Sequence, residues 1–211
     1  MDKKYAIFDL DGTLVDSMPF WKELSREYLA AKGVKNIPAD ILERIKPMTV
    51  QESARLFTGE LGLDGTVEAV AAEINGMMGE HYRKDVPVKA GVENYLKALK
   101  ERGVRMCVAS ATVEPLIDAC LERLGLRHYF EFSLSCDTVG AGKSSPLVYL
   151  TAAERMGASA EEAAVYEDSL LASTTAKKAG FYLCVIADAA SADNWDKLCS
   201  LADEALVSWE L

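Results

Sequence analysis

The sequence predicts an α/β chain: a doubly wound, mainly parallel Rossmann-like sheet with a small α-helical domain inserted into it. Three observations carry that expectation. Short apolar runs of strand length alternate with helical patterns through most of the 211 residues. Several of those runs are hydrophobic at nearly every position, as parallel strands covered on both faces must be. One interval, 16–81, breaks the alternation and contains no convincing strand.

The elements follow in order. An apolar run at 5–10 reads as the first strand. Ser17 is placed to cap a helix in which Trp21, Leu24, Tyr28 and Ala31 share one face, closed by Gly33. Pro38 opens a second helix, and 51–61 and 66–78 read as two more. Residues 16–84 are therefore expected to form a small inserted helical domain, and 1–15 with 85–211 the α/β core. Pro87 and Gly91 mark the return to the core. Strands are then expected at 104–110, more weakly at 130–135, and at 163–167 and 181–186. Helical stretches at 113–124, 146–156 and 170–178 have the length of right-handed crossovers.

Composition narrows the function. Half of the residues are hydrophobic and 27% are charged, an ordinary globular balance. With 33 acidic residues against 23 basic ones the net charge is -10, the wrong sign for a general nucleic-acid binder. No apolar run approaches the ~18 residues of a membrane span. Met1-Asp2-Lys3-Lys4 leads straight into the first strand without a signal-peptide pattern, which favours a cytoplasmic protein. The five cysteines form no C-x-x-C pair and read as reduced, mostly buried thiols. Two histidines are too few for a histidine-rich zinc site. The expected partner is a small molecule, bound by a monomer.

Chemistry concentrates at strand ends. In Asp9-Leu10-Asp11-Gly12-Thr13-Leu14-Val15-Asp16, two carboxylates two positions apart leave the tip of a buried strand together. Ligands of open α/β sheets gather at that edge. A calcium loop would need more oxygen ligands and a distal Glu where this chain continues with Leu14 and Val15. Glu167-Asp168-Ser169 closes a second buried strand. If the two strands are neighbours, about 4.8 Å apart, Asp9 and Asp168 could share a cation, and an all-oxygen set suits Mg²⁺. Asp168 could also serve as the N-cap of the helix that follows. Ser110, with Thr112 behind it, ends a third strand, and Lys143 lies in the glycine-rich stretch Gly140-Ala141-Gly142-Lys143-Ser144-Ser145-Pro146. One fixed cation among carboxylates is suited to a phosphoryl group.

Together these segments resemble the haloacid dehalogenase-like superfamily, in its phosphatase and β-phosphoglucomutase-like branch. The resemblance rests on D-L-D-G-T-L-V-D-S from Asp9, on V-A-S-A-T around Ser110, on Lys143, and on Glu167-Asp168-Ser169 with the trailing Ala176-Lys177-Lys178-Ala179-Gly180. It implies that Asp9 attacks phosphorus to give an aspartyl-phosphate and that Asp11 is the general acid and base. It further implies that Ser110, Ala111 and Lys143 bind the phosphoryl oxygens. Mg²⁺ would be held by Asp9, the backbone carbonyl of Asp11 and Asp168, with Glu167 behind them. Phe20 and Trp21 are the candidates for specificity contacts. Three positions depart from the branch: Ser144 stands where a proline is usual, Ala172 where a glycine is usual, and Trp21 where the mutases carry a cap histidine. The expectation is a phosphatase of a small phosphorylated metabolite; a phosphomutase and a non-catalytic binding protein of the same fold are the alternatives.

Overall fold

The computed structural model describes residues 2–34, 36–45 and 48–210. Its centre is a parallel sheet made by β1 (Tyr5–Phe8), β2 (Arg105–Ser110), β3 (Ser133–Ser135), β4 (Ala163–Glu167), β5 (Tyr182–Ile186) and β6 (Glu204–Leu206), in the order β3-β2-β1-β4-β5-β6. Side chains alternate along β1, so Ala6 and Phe8 enter one apolar cluster and Ile7 the other. Each face thus has its own core, which is why the strands read as uninterrupted apolar runs.

Between β1 and the next core helix the chain forms α1 (Met18–Ala31), α2 (Ala39–Ile45), α3 (Val50–Gly59) and α4 (Val67–Lys84). The remaining helices are α5 (Val92–Glu101), α6 (Glu114–Arg123), α7 (Cys136–Val139), α8 (Leu147–Arg155), α9 (Leu170–Lys178) and α10 (Trp195–Leu201). Leu24, Tyr28, Phe57, Ile74, Met78 and Tyr82 of the inserted helices join the cluster that holds Phe8. The buried partners from α8, α9 and α10 are in the other cluster, with Ile7. Outgoing and returning connections run side by side: Asp16 N donates to Pro87 O (2.9 Å) and Lys89 N to Leu14 O (3.0 Å).

Several expected elements are corrected. Ser17 precedes α1 but makes no capping bond; its backbone already lies in the helical region, and its hydroxyl has another partner, described below. The buried face of α1 is Leu24, Tyr28 and Leu29, while Ala31 is exposed. α4 continues six residues past the expected 78 to Lys84, through Gly76 and Gly79, whose weak helix propensity hides the continuation. The residue before α9 is Ser169, so Asp168 is not its cap. The weak strand at 130–135 shortens to Ser133–Ser135, because 127–129 form a 3₁₀ turn. β6 and α10 have no counterpart in the sequence reading; Glu-Ala-Leu is too short and too polar to show as a strand.

Phe8 and Tyr166 are register partners on β1 and β4, and their rings stack with centroids 4.3 Å apart. This contact fixes the two strand tips that carry Asp9 and Asp168. Phe8→Ala should lower the unfolding free energy by about 3–5 kcal/mol, measured by urea denaturation. A loss below about 1 kcal/mol would show that the stacked pair does not hold the tips.

Candidate active site

Strand pairing delivers the first acids. Asp9 N continues the β1–β4 ladder to Tyr166 O (3.0 Å), so Asp9 and Glu167-Asp168 emerge side by side at the carboxyl edge. Oxygens of Asp9, Glu167 and Asp168 lie within 4.8 Å of one another, and all three residues are buried. Lys143 enters this group from the loop after α7. Its Nζ is 2.5 Å from Asp9 Oδ1 and 2.5 Å from Glu167 Oε1. Glu167 also accepts from the buried Tyr149 hydroxyl of α8 (2.8 Å), and Asp168 accepts from Thr13 Oγ1 (3.2 Å). Gly12, at φ +79°, passes so close that a Cβ there would sit 2.5 Å from Asp168 Oδ2. Only glycine fits that turn.

The charges do not balance. Three buried carboxylates face one ammonium. Burial, opposed by Lys143 and reinforced by Glu167 and Asp11, raises the Asp9 pKa to about 8. Burial, then Glu167 and Asp9, pushes Asp168 well above the usual carboxylate range. Lys143 is held above its ordinary value by Asp9 and Glu167 despite its own burial. Among the described residues the cluster is a set of hard oxygen donors with surplus acid and without His or Cys, which fits a divalent cation of the Mg²⁺ type. Asp9 and Asp168 would hold it, with Glu167 adjoining.

Asp11 has quite different company. Ser17 Oγ (2.5 Å), Tyr82 OH (2.5 Å) and Trp21 Nε1 (3.3 Å) donate to its Oδ1, while Thr112 Oγ1 (2.8 Å) and Ser110 Oγ (3.4 Å) donate to Oδ2. Trp21 Nε1 also donates to Tyr82 OH (3.1 Å). Ser17, Trp21 and Tyr82 come from the inserted segment, Ser110 and Thr112 from the end of β2. The two carboxylates of the first motif therefore part company: Asp9 meets an ammonium, Asp11 a ring of neutral donors.

Ser110 is buried and also accepts from Thr112 N (3.1 Å); Ala111 follows it, half-buried. Phe20 lies against His81 of α4, ring centroids 4.9 Å apart, whereas Trp21 points its indole N–H into the Asp11 network. Nothing in the linear pattern marks Tyr82, Tyr149 or Thr112 as site residues. Each looks like core or cap in a sequence, and only the direction of its hydroxyl places it at the site.

A family model for haloacid dehalogenase-like hydrolases matches residues 3–180. The chain belongs to that family. Among relatives of this hydrolase, a phosphorylated carbohydrates phosphatase of Thermotoga maritima is 28% identical over 175 residues, 83% of this chain and 81% of that protein. A fructose-1-phosphate phosphatase of Escherichia coli is 30% identical over 188 residues, 85% of this chain and 95% of that protein. In structure, the hydrolase is similar to CbbY from Rhodobacter sphaeroides in a complex with xylulose-1,5-bisphosphate. The TM-score is 0.84 at 22% identity, over 98% of this chain and 95% of that one.

The raised Asp9 pKa has a consequence that can be checked. Between the ordinary carboxylate value of 3.8 and about 8, the folded protein retains a proton that the unfolded chain has lost. In that window this group makes stability fall as pH rises, because the native state binds more protons. A cation that needs Asp9 ionised must displace that proton. Mg²⁺ should therefore raise the melting temperature, by an increment that is larger at pH 8 than at pH 6, with proton release on binding at the lower pH. Calorimetric titration in buffers of different ionisation enthalpy reads the release. A Mg²⁺ increment independent of pH would contradict the assignment.

Proposed function

We propose that this hydrolase is a Mg²⁺-dependent phosphatase acting on a small, sugar-like phosphorylated metabolite through an aspartyl-phosphate at Asp9. The observation that carries the reading is the position of Asp9: buried at a strand tip, against Lys143, beside Asp168, with Asp11 two residues away. A lysine fixed by two carboxylates cannot wander, so its charge is preorganised for a phosphoryl oxygen. The relatives named as carbohydrate and fructose-1-phosphate phosphatases support the substrate class.

The steps follow from the residues. Asp9 attacks phosphorus and the bond to the leaving oxygen breaks, giving the acyl phosphate. Asp11 gives the leaving oxygen its proton, then takes one from the water that attacks the acyl phosphate. Lys143 and Ser110, with the Ala111 peptide, hold the phosphoryl oxygens. A bound Mg²⁺ would neutralise charge between the Asp9 carboxylate and the phosphoryl group. In this reading residues 16–84 serve as the cap, which shields the site and brings Ser17, Trp21 and Tyr82 to Asp11, while Phe20 and Trp21 border the leaving group. The reading extends to a monomeric, cytoplasmic enzyme, consistent with five free cysteines of which four are buried. No helix among the described residues is long and apolar enough to cross a membrane.

Hydrolysis is favoured over mutase chemistry by Trp21. Its indole N–H is committed to Asp11 and Tyr82, and an indole cannot titrate, so it cannot replace a histidine in a proton relay. Incubation with phosphosugars should release inorganic phosphate with little isomer, followed by phosphorus NMR. Conversion of glucose 1-phosphate mainly to glucose 6-phosphate would overturn the reading. Asp9→Asn should fold normally and retain less than about a tenth of the activity. Asp11→Asn should slow both formation and breakdown of the acyl phosphate. EDTA should stop turnover and Mg²⁺ restore it.

A further inference from the structure

The segment after β6 carries an aromatic residue, Trp209, to which no role has yet been given. Trp209 is 2% exposed, although Val207 two residues before it is 78% exposed. Its ring packs with Tyr95 (4.9 Å between centroids), Tyr166 (5.6 Å) and Phe8 (6.1 Å). Phe8 and Tyr166 are the residues directly before Asp9 and Glu167. Packing alone would account for a phenyl ring at this place.

The indole N–H does more. It donates to the backbone carbonyl of Thr13 (3.0 Å) in a buried contact. Thr13 is itself fully buried, and its hydroxyl donates to Asp168 Oδ1. A continuous path therefore runs from Trp209 Nε1 to the Thr13 peptide and from the Thr13 side chain to the carboxylate cluster. The turn it grips, Gly12-Thr13, is the one whose close approach leaves no room for a Cβ against Asp168. On its other side the Trp209 backbone lies on Gly91, where a Cβ would come 2.8 Å from the Trp209 carbonyl carbon. Gly91 is the residue immediately before α5, directly after the returning connection of the inserted helices. The tail thus braces the motif turn from behind, against the start of α5.

We propose that Trp209 is a positioning residue for the cation site: its N–H fixes the Gly12-Thr13 turn, and through Thr13 fixes the orientation of Asp168. This rests on the Mg²⁺-dependent reading above. Groups that orient a metal ligand without touching the metal typically change affinity by about 10–100-fold when removed. Trp209 acts one bond further out, so a loss near the lower end, about five- to tenfold, is expected.

The test is Mg²⁺ affinity by isothermal titration calorimetry on the full chain, with phosphate release measured beside it. Trp209→Phe keeps the aromatic packing and removes the N–H; it should weaken Mg²⁺ binding about five- to tenfold. Thr13→Val should weaken it at least as much, and the double variant should be no worse than Thr13→Val alone, because the two act in series. Tyr95→Phe touches the same ring cluster but not the turn, and should leave Mg²⁺ affinity within about twofold of wild type. Trp209→Phe binding within twofold of wild type, or losses that multiply in the double variant, would overturn the proposal. If Trp209→Phe fails to fold, the wild-type chain still decides. The Trp209 indole N–H resonance should shift on Mg²⁺ addition, and an unmoved resonance would overturn it. A wild type that binds Mg²⁺ but releases no phosphate sinks the phosphatase reading and leaves this one intact. A wild type that binds no Mg²⁺ sinks both.

Discussion

The buried ammonium of Lys143 is the contact on which the rest of the site depends. Parallel pairing of β1 with β4 places Asp9, Glu167 and Asp168 together in a region almost closed to water. Charged carboxylates are not tolerated there alone. Lys143 bridges Asp9 and Glu167, and Tyr149 satisfies Glu167 from below. A buried ion pair of this kind contributes little net stability, since desolvation consumes most of the Coulombic gain. What it supplies is position: an ammonium and the Asp9 carboxylate held in contact. One ammonium cannot neutralise three acids, and the raised Asp9 and Asp168 pKa values express that residue of negative charge. Among the described residues this cluster is left with more acid than base, as the proposed cation and phosphoryl sites require.

Two carboxylates separated by a single leucine are thereby given different surroundings. Asp9 is surrounded by charge and Asp11 by neutral hydroxyls and one indole. Such a difference in surroundings is what the proposed division into nucleophile and proton carrier requires. The division is structural in origin. Asp9 still belongs to the ladder of β1, whereas Asp11 sits beyond it in the turn that leads to α1, where the inserted helices and the end of β2 both reach it.

How much of this was legible follows from what each residue shows in a one-dimensional pattern. β4 was bounded correctly because Ala-Ala-Val-Tyr-Glu is apolar up to the acid that ends it. The acids stand out because charge at the end of an apolar run is conspicuous, and Lys143 stands out as a cation in a glycine-rich stretch before a helix. β6 was missed because an edge strand of three residues needs little apolar length. Ser17 has the local pattern of a cap, since a serine before an amphipathic helix usually is one, yet its hydroxyl goes to Asp11. Tyr82, Tyr149 and Trp209 share a different obscurity. Each buries a large ring, which reads as core, and acts through one polar atom whose direction only the packed structure sets.

The same reasoning explains why the Lys143 loop holds its shape with Ser144 in place of the usual proline. Ser145 N closes a turn onto Gly142 O (2.9 Å), and Ala141 N bonds Cys136 O (3.1 Å). Against this turn lies α3. Its first residues form a capping box in which Thr49 N donates to Glu52 Oε2 (2.8 Å), so the Glu52 carboxylate is fixed by its own helix. That carboxylate meets Gly142 so closely that a Cβ would sit 2.6 Å from Oε2. A side chain at 142 would have to push the Glu52 carboxylate out of its capping box, so an inserted helix rather than backbone torsion favours glycine there, and the residue after it is Lys143. The inserted helices consequently bear on both halves of the site, on Asp11 through Ser17, Trp21 and Tyr82 and on the Lys143 loop through Glu52. A displacement of these helices cannot leave either half unchanged, which ties the electrostatics of the cluster to the packing of residues far from it in the chain.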